Sequence, residues 1–107
     1  MGKRYILVDL DIPFIKFKKF KSIYREHVDW VLRHMRIGVG VRGFRALRSP
    51  SGNTHVLVHL DREVTEETAL HLALCLGSDV AAFLEAMVRL RQTGTSGYVP
   101  WSEKRAR

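Results

Sequence analysis

Arg48-Ser-Pro-Ser-Gly-Asn-Thr-His-Val-Leu-Val-His-Leu-Asp61 joins a polar, glycine-containing turn directly to an alternating strand. Ser49, Pro50, Ser51, Gly52 and Asn53 are turn formers throughout. Residues 54–60 then alternate, with Val56, Val58 and Leu60 on one side and His55, Leu57 and His59 on the other. Residues 41–48 supply the strand before the turn, so the two read as a hairpin. In that earlier strand Arg42, Phe44, Ala46 and Arg48 share one parity and Arg45 takes the other.

A matching strand lies near the N-terminus. Over residues 4–11, Ile6, Val8 and Leu10 point one way, and Tyr5, Leu7, Asp9 and Asp11 the other. Pro13, which cannot donate to a ladder, ends it. Between this strand and the hairpin, residues 14–36 change to steps of three and four. Phe14, Phe17, Phe20, Tyr24, Val28, Val31 and Met35, with Ile23, His27 and Leu32 beside them, form an apolar stripe. Lys16, Lys18, Lys19, Lys21, Arg25 and Arg33 make a basic back, and Gly38 and Gly40 stop the helix. Its first turn, from Phe14 to Phe20, also fits an extended arm.

Beyond residue 60, Asp61-Arg-Glu-Val reads as a connection. Thr65 followed by Glu66 and Glu67 is a helix start, with a cap and two acids at the positive dipole end. A further helix is capped by Ser78 or Asp79 and ends near Thr93 and Gly94. Residues 97–101 suit a short edge strand, and 102–107 a basic tail on a single domain spanning 1–101. The expected fold class is therefore α+β, in the split βαβ arrangement of ferredoxin-like and RNA-recognition folds. Strands one and three are then neighbours, and the helices cover one face only.

The chain of 107 residues is 46% hydrophobic and 27% charged, the composition of one globular domain. No apolar run approaches the roughly 20 residues that span a bilayer, so no membrane partner is expected. The lone cysteine, Cys75, sits among leucines and reads as a core residue in a reducing, cytoplasmic setting. Net charge is +7 and uneven: residues 1–48 carry +8, residues 49–107 carry −1. A basic half suits a polyanion such as nucleic acid or nucleotides.

Asp9 and Asp11 project from one side of a strand with α-carbons roughly 7 Å apart. Such a pair suits Mg²⁺ or Mn²⁺, which take carboxylate oxygens and fill the remaining positions with water and phosphate; it is equally what a solvated strand end before Pro13 presents. Ser49, Ser51, Gly52 and Asn53 let a phosphate approach closely, His55 adds a donor, and Arg42, Arg45 and Arg48 bring positive charge nearby. The same residues also make an ordinary hairpin turn. His55 and His59 lie about 13 Å apart along a strand, too far to share one ion as in rolling-circle nucleases. Aromatic stacking on bases is open to Tyr5, Tyr98 and Trp101.

Taken together, Asp9-Leu-Asp11 at a strand end and Ser51-Gly-Asn-Thr-His55 at a later strand start resemble the palm of archaeo-eukaryotic primases and primase-polymerases. The resemblance spans roughly residues 5–60. It implies a divalent-metal-dependent nucleotidyltransferase in which Asp9 and Asp11 hold Mg²⁺ or Mn²⁺, and His55 and the serine turn contact the phosphates of the incoming nucleotide. It also implies a role in replication, as a homodimer or within a larger complex. The family's third carboxylate lies on a later strand; Asp61, Asp79 and Glu85 are available here, none in such a strand. The chain is also shorter than those catalytic domains. A non-catalytic descendant or subunit fits as well as an active polymerase. Two further readings stay open: a metal-free RNA-recognition-like binding module, and an assembly protein that dimerises through its sheet.

Overall fold

The computed structural model describes residues 2–95. In chain order the elements are β1 (Gly2–Pro13), α1 (Phe14–Phe17), α2 (Lys21–His34), β2 (Val41–Arg48), β3 (Asn53–Thr65), α3 (Glu66–Cys75) and α4 (Val80–Thr93). The expected edge strand at 97–101, the tail at 102–107, Tyr98 and Trp101 lie outside the described residues. The protein is α+β, with one antiparallel sheet in the order β1-β3-β2. Both outer strands run antiparallel to β3 and hence parallel to each other.

The alternation of β1 and β3 sets the sheet's inner face. Ile6, Val8 and Leu10 join Val56, Val58 and Leu60, all buried, and Phe17, Val28, Val31, Leu32, Leu72 and Leu76 cover them from α1, α2 and α3. Fully burying an aliphatic side chain of this kind contributes about 1.5–3 kcal/mol. Thr54, also buried, donates its hydroxyl to the Ile12 carbonyl at 2.9 Å. That bond satisfies a backbone group where the β1–β3 register shifts between Leu10 and Pro13.

Four expectations change. The segment 61–64 is not a connection: Thr65 and Val64 pair with Gly2 and Lys3, so both strands run on past a register shift between Lys3 and Tyr5. Asp61, Arg62 and Glu63 are exposed, so no hydrophobic alternation marks this part of the strand. The helix at 14–36 is broken into α1, a turn at 18–20, and α2. Cys75 is exposed, because α3 turns Ala69, Leu72, Ala73 and Leu76 inward and leaves Cys75 on its other side. Finally, α4 does not join the layer over the inner face. It starts at the outer edge of β1, where the Asp79 amide donates to the Asp9 carbonyl at 2.9 Å. Leu7, on the opposite face, shares a small pocket with Leu70, Ala73, Ala82 and Phe83.

The helix ends follow local chemistry. Thr65 Oγ1 accepts the Thr68 amide at 3.1 Å, with Glu66 and Glu67 in the first turn of α3. Asp79 Oδ2 accepts the Ala82 amide at 3.3 Å, and Gly94 closes α4 in the left-handed region.

One tie holds α2 to the end of α3: the Tyr24 hydroxyl donates to the Leu76 carbonyl at 2.7 Å. Burial pushes the Tyr24 phenol well above its usual range. A folded-state pKa above the unfolded value of about 10 adds stability that is whole below pH ~10 and is lost as pH rises beyond it. Tyr24→Phe is expected to cost about 1 kcal/mol at neutral pH and to flatten the alkaline loss. Urea melts of both proteins at neutral pH and above pH ~10 check this; parallel alkaline losses in the two would refute it.

Candidate functional site

The register places the candidate residues. Asp9 stands directly opposite His55, with Leu47 beyond it on β2; Leu7 stands opposite Leu57, with Arg45 beyond. These residues share the sheet face opposite the one that α1 and α2 cover; at the β1 edge of this face Leu7 meets α3 and α4. The His55 ring nitrogen Nε2 lies 3.4 Å from Asp9 Oδ1, with both side chains partly exposed. Asn53 donates from Nδ2 to Asp11 Oδ1 at 3.3 Å. The hairpin turn is tied to the end of β1 by the Phe14 amide, which donates to the Gly52 carbonyl at 2.9 Å.

A cleft of about 390 Å³ opens there, lined by Asp9, Asp11, Ser49, Pro50, Ser51, Asn53, His55 and Asp79. Two stretches separated by some forty residues of sequence are thus one surface feature. Asp79 is the addition. It arrives with the α3–α4 turn, because the Asp9 amide donates to Ser78 Oγ at 3.2 Å and the Asp79 amide returns to the Asp9 carbonyl. In the sequence it is a helix cap and one of three acids available as a third carboxylate, and neither reading says what it faces.

The turn is less of an anion cradle than its composition promises. Ser49 donates its amide to the Asn53 carbonyl at 2.8 Å, and Gly52 donates its amide back to the Ser49 carbonyl at 2.9 Å. Pro50 has no N–H, and the Ser49 and Ser51 hydroxyls bond each other at 2.9 Å. Gly52, at φ +90, is in the conformation the turn requires. A phosphate here would meet hydroxyls and His55 more than backbone amides.

The arginines divide. Arg45 shares the face of Asp9 and His55, one cross-strand row along. Arg48 pairs with Thr54 on the opposite parity, and Arg42 falls at a register shift between Val41 and Gly43. All three are exposed and none lines the cleft. The cleft wall therefore carries three carboxylates and one imidazole, with no lysine or arginine. Such a wall repels a bare phosphate and attracts a cation. Among the described residues, no three His, Cys, Asp or Glu side chains converge closely enough to enclose a metal by themselves. Mg²⁺ or Mn²⁺ here would rest on Asp9 and Asp11 with water completing the shell, as Mg²⁺ commonly does. The donor set fits that use.

His59 lies two residues beyond Leu57 on the same face, away from the cleft. Leu57, at the centre of that face, is only 2% exposed and Leu7 is half-buried. Among the described residues, no helix is long and apolar enough to cross a membrane.

No protein-family model matches the chain, and searches of curated proteins and of solved structures return no match either.

Proposed function

We propose that the protein is a compact palm-like domain that handles nucleotides or nucleic acid, related to primase-polymerases, with divalent metal at Asp9 and Asp11. One observation carries the reading: a single cleft holds Asp9, Asp11, His55 and the serine turn, with Asp79 on its wall. The strand order supports it, since β1 and β2 run parallel across an antiparallel β3, with α1 and α2 between them in sequence, as in a split βαβ unit.

The chemistry of this reading is nucleotidyl or phosphoryl transfer. Mg²⁺ or Mn²⁺, when bound, supplies neutralisation of the phosphate charge that the acidic wall alone would repel. Asp9 and Asp11 hold and orient that charge, and Asn53 steadies Asp11 through its 3.3 Å hydrogen bond. His55 is positioned by its contact with Asp9 and presents a donor to a phosphate oxygen. Ser51 stands at the exposed rim, and Arg45 offers positive charge one row away for the rest of a polyanion. A replication complex is the setting this chemistry suits.

A metal-free RNA-recognition-like module is less well supported, because such modules stack bases on exposed aromatic residues at the sheet centre. Here that centre is the buried Leu57. Pairing through the sheet is also disfavoured. The outer edge of β1 is bonded at Asp9 by Ser78 and Asp79, and β2 carries Arg42, Arg45 and Arg48, whose self-pairing would oppose like charges.

Thermal melts with Mn²⁺ and a nucleoside triphosphate test the proposal. At a hundredfold excess over Kd, binding adds about 2.7 kcal/mol, or a rise in Tm of roughly 10 °C for a domain of this size. The rise should vanish in Asp9→Asn and shrink in Asp11→Asn. An equal rise in Asp9→Asn, or none in the wild type, would rule out the metal site.

A further inference from the structure

Phe20, Ile23, His27, Trp30 and His34 recur along α2 and the residue before it at steps of three, four, three and four. That is the spacing of a seam between two helices. None of it is used by the core, which takes Tyr24, Val28, Val31 and Leu32 from the neighbouring side of the helix. Phe20 is 51% exposed, Ile23 65% and Trp30 54%. The seam is also partly ordered in advance. The Trp30 and His34 rings stack at 4.1 Å, and His34 Nδ1 donates to the Trp30 carbonyl at 2.8 Å, so less side-chain freedom is lost on contact.

Charge decides what fits. At about 3.6 residues per turn, Lys21 and Arg25 fall on the far side of α2 from this stripe. The guanidinium of Arg25 lies 5.7 Å from the Phe44 ring centre, turned toward β2. The stripe itself is bordered by one acid, Glu26, and one base, Arg33, seven residues on. Within the helix that border carries one charge of each sign. It is self-complementary when two copies of α2 run antiparallel about a dyad between His27 and Trp30. Each Trp30 then packs on the His27 of the second copy, each Ile23 on its His34, and each Glu26 meets its Arg33.

We infer that α2 is a homodimer seam, through which two copies of this chain associate reversibly along Phe20, Ile23, His27, Trp30 and His34. The 14 residues of α2 span only about 21 Å. This is short of what a standard interface of about 1,200–2,000 Å² needs, so the association depends on concentration. It leaves the cleft of Asp9 and Asp11 untouched, because that cleft is on the sheet face away from α2.

Sedimentation equilibrium over a wide concentration range tests this. The wild type should move from monomer toward dimer. Ile23→Asp should weaken the dimer about a hundredfold, since it places a charge in both halves of the seam. Glu26→Arg and Arg33→Glu should each weaken it about tenfold, and the double exchange should return it to within about threefold of wild type. These side chains are exposed, and circular dichroism melts confirm that each variant is folded. A wild type that stays monomeric at every concentration overturns the inference. So does a dimer indifferent to Ile23→Asp, or a charge exchange that fails to restore association.

Discussion

Phe17→Ala is expected to destabilise the fold by about 3–5 kcal/mol, the cost of emptying a fully buried aromatic site. Phe17 is 1% exposed and meets Tyr24 edge-on, with ring centres 5.5 Å apart. It is the one buried residue of α1, so no other side chain of that short helix holds the β1–α2 connection down. The same connection begins at Phe14, whose amide bonds the Gly52 carbonyl in the cleft's serine turn. Loosening it should therefore reach Asp11 and Asn53 as well as the core. Against a total stability of about 5–15 kcal/mol for a domain, the loss is a large fraction. Urea unfolding should show a lower midpoint with an unchanged slope. A loss under about 1 kcal/mol would mean that Phe17 does not anchor this segment.

Gly77→Ala should cost about 2–6 kcal/mol and also disturb the cleft. Gly77 has φ +105, where a side chain is strained by about 1–3 kcal/mol. A Cβ there would lie 3.0 Å from Leu10 Cδ2, in the packed core, and overpacking adds about 1–3 kcal/mol. The next two residues are Ser78 and Asp79, which bond the Asp9 amide and carbonyl at 3.2 Å and 2.9 Å. A shift of this turn would draw Asp79 away from Asp9 and Asp11. The paired measurement is stability by urea melt and the Mn²⁺-dependent rise in Tm. A variant within about 0.5 kcal/mol of wild type, with a full Mn²⁺ response, would show that the turn neither needs its glycine nor shapes the cleft.

Strand alternation, the turn at Ser49–Asn53, the cap at Thr65 and the stop at Gly94 were readable because each signal sits within a few residues of its effect. The pairing of β1 with β3 followed from two strands agreeing on one apolar face, which is why Asp9 and His55 could be expected on one side. Cys75 misled, because leucines flank it in sequence while the helix turns it away from them. Phe20 and Ile23 misled similarly: the helical period marks an apolar stripe, but only packing shows that the sheet covers just its neighbouring side.

The order of elements, the helix caps, the polar strand faces and the basic half of the chain were determined by the sequence alone, through local sterics and periodicity. Tertiary structure alone decided that Asp79 joins the cleft, that Leu57 is buried on the polar face, and that Arg45 but not Arg48 lies on the face of Asp9. Each depends on how segments far apart in the chain are set against one another. Asp79 comes to Asp9 from 70 residues away, through its own amide and the neighbouring Ser78 hydroxyl at a strand edge that no local pattern encodes.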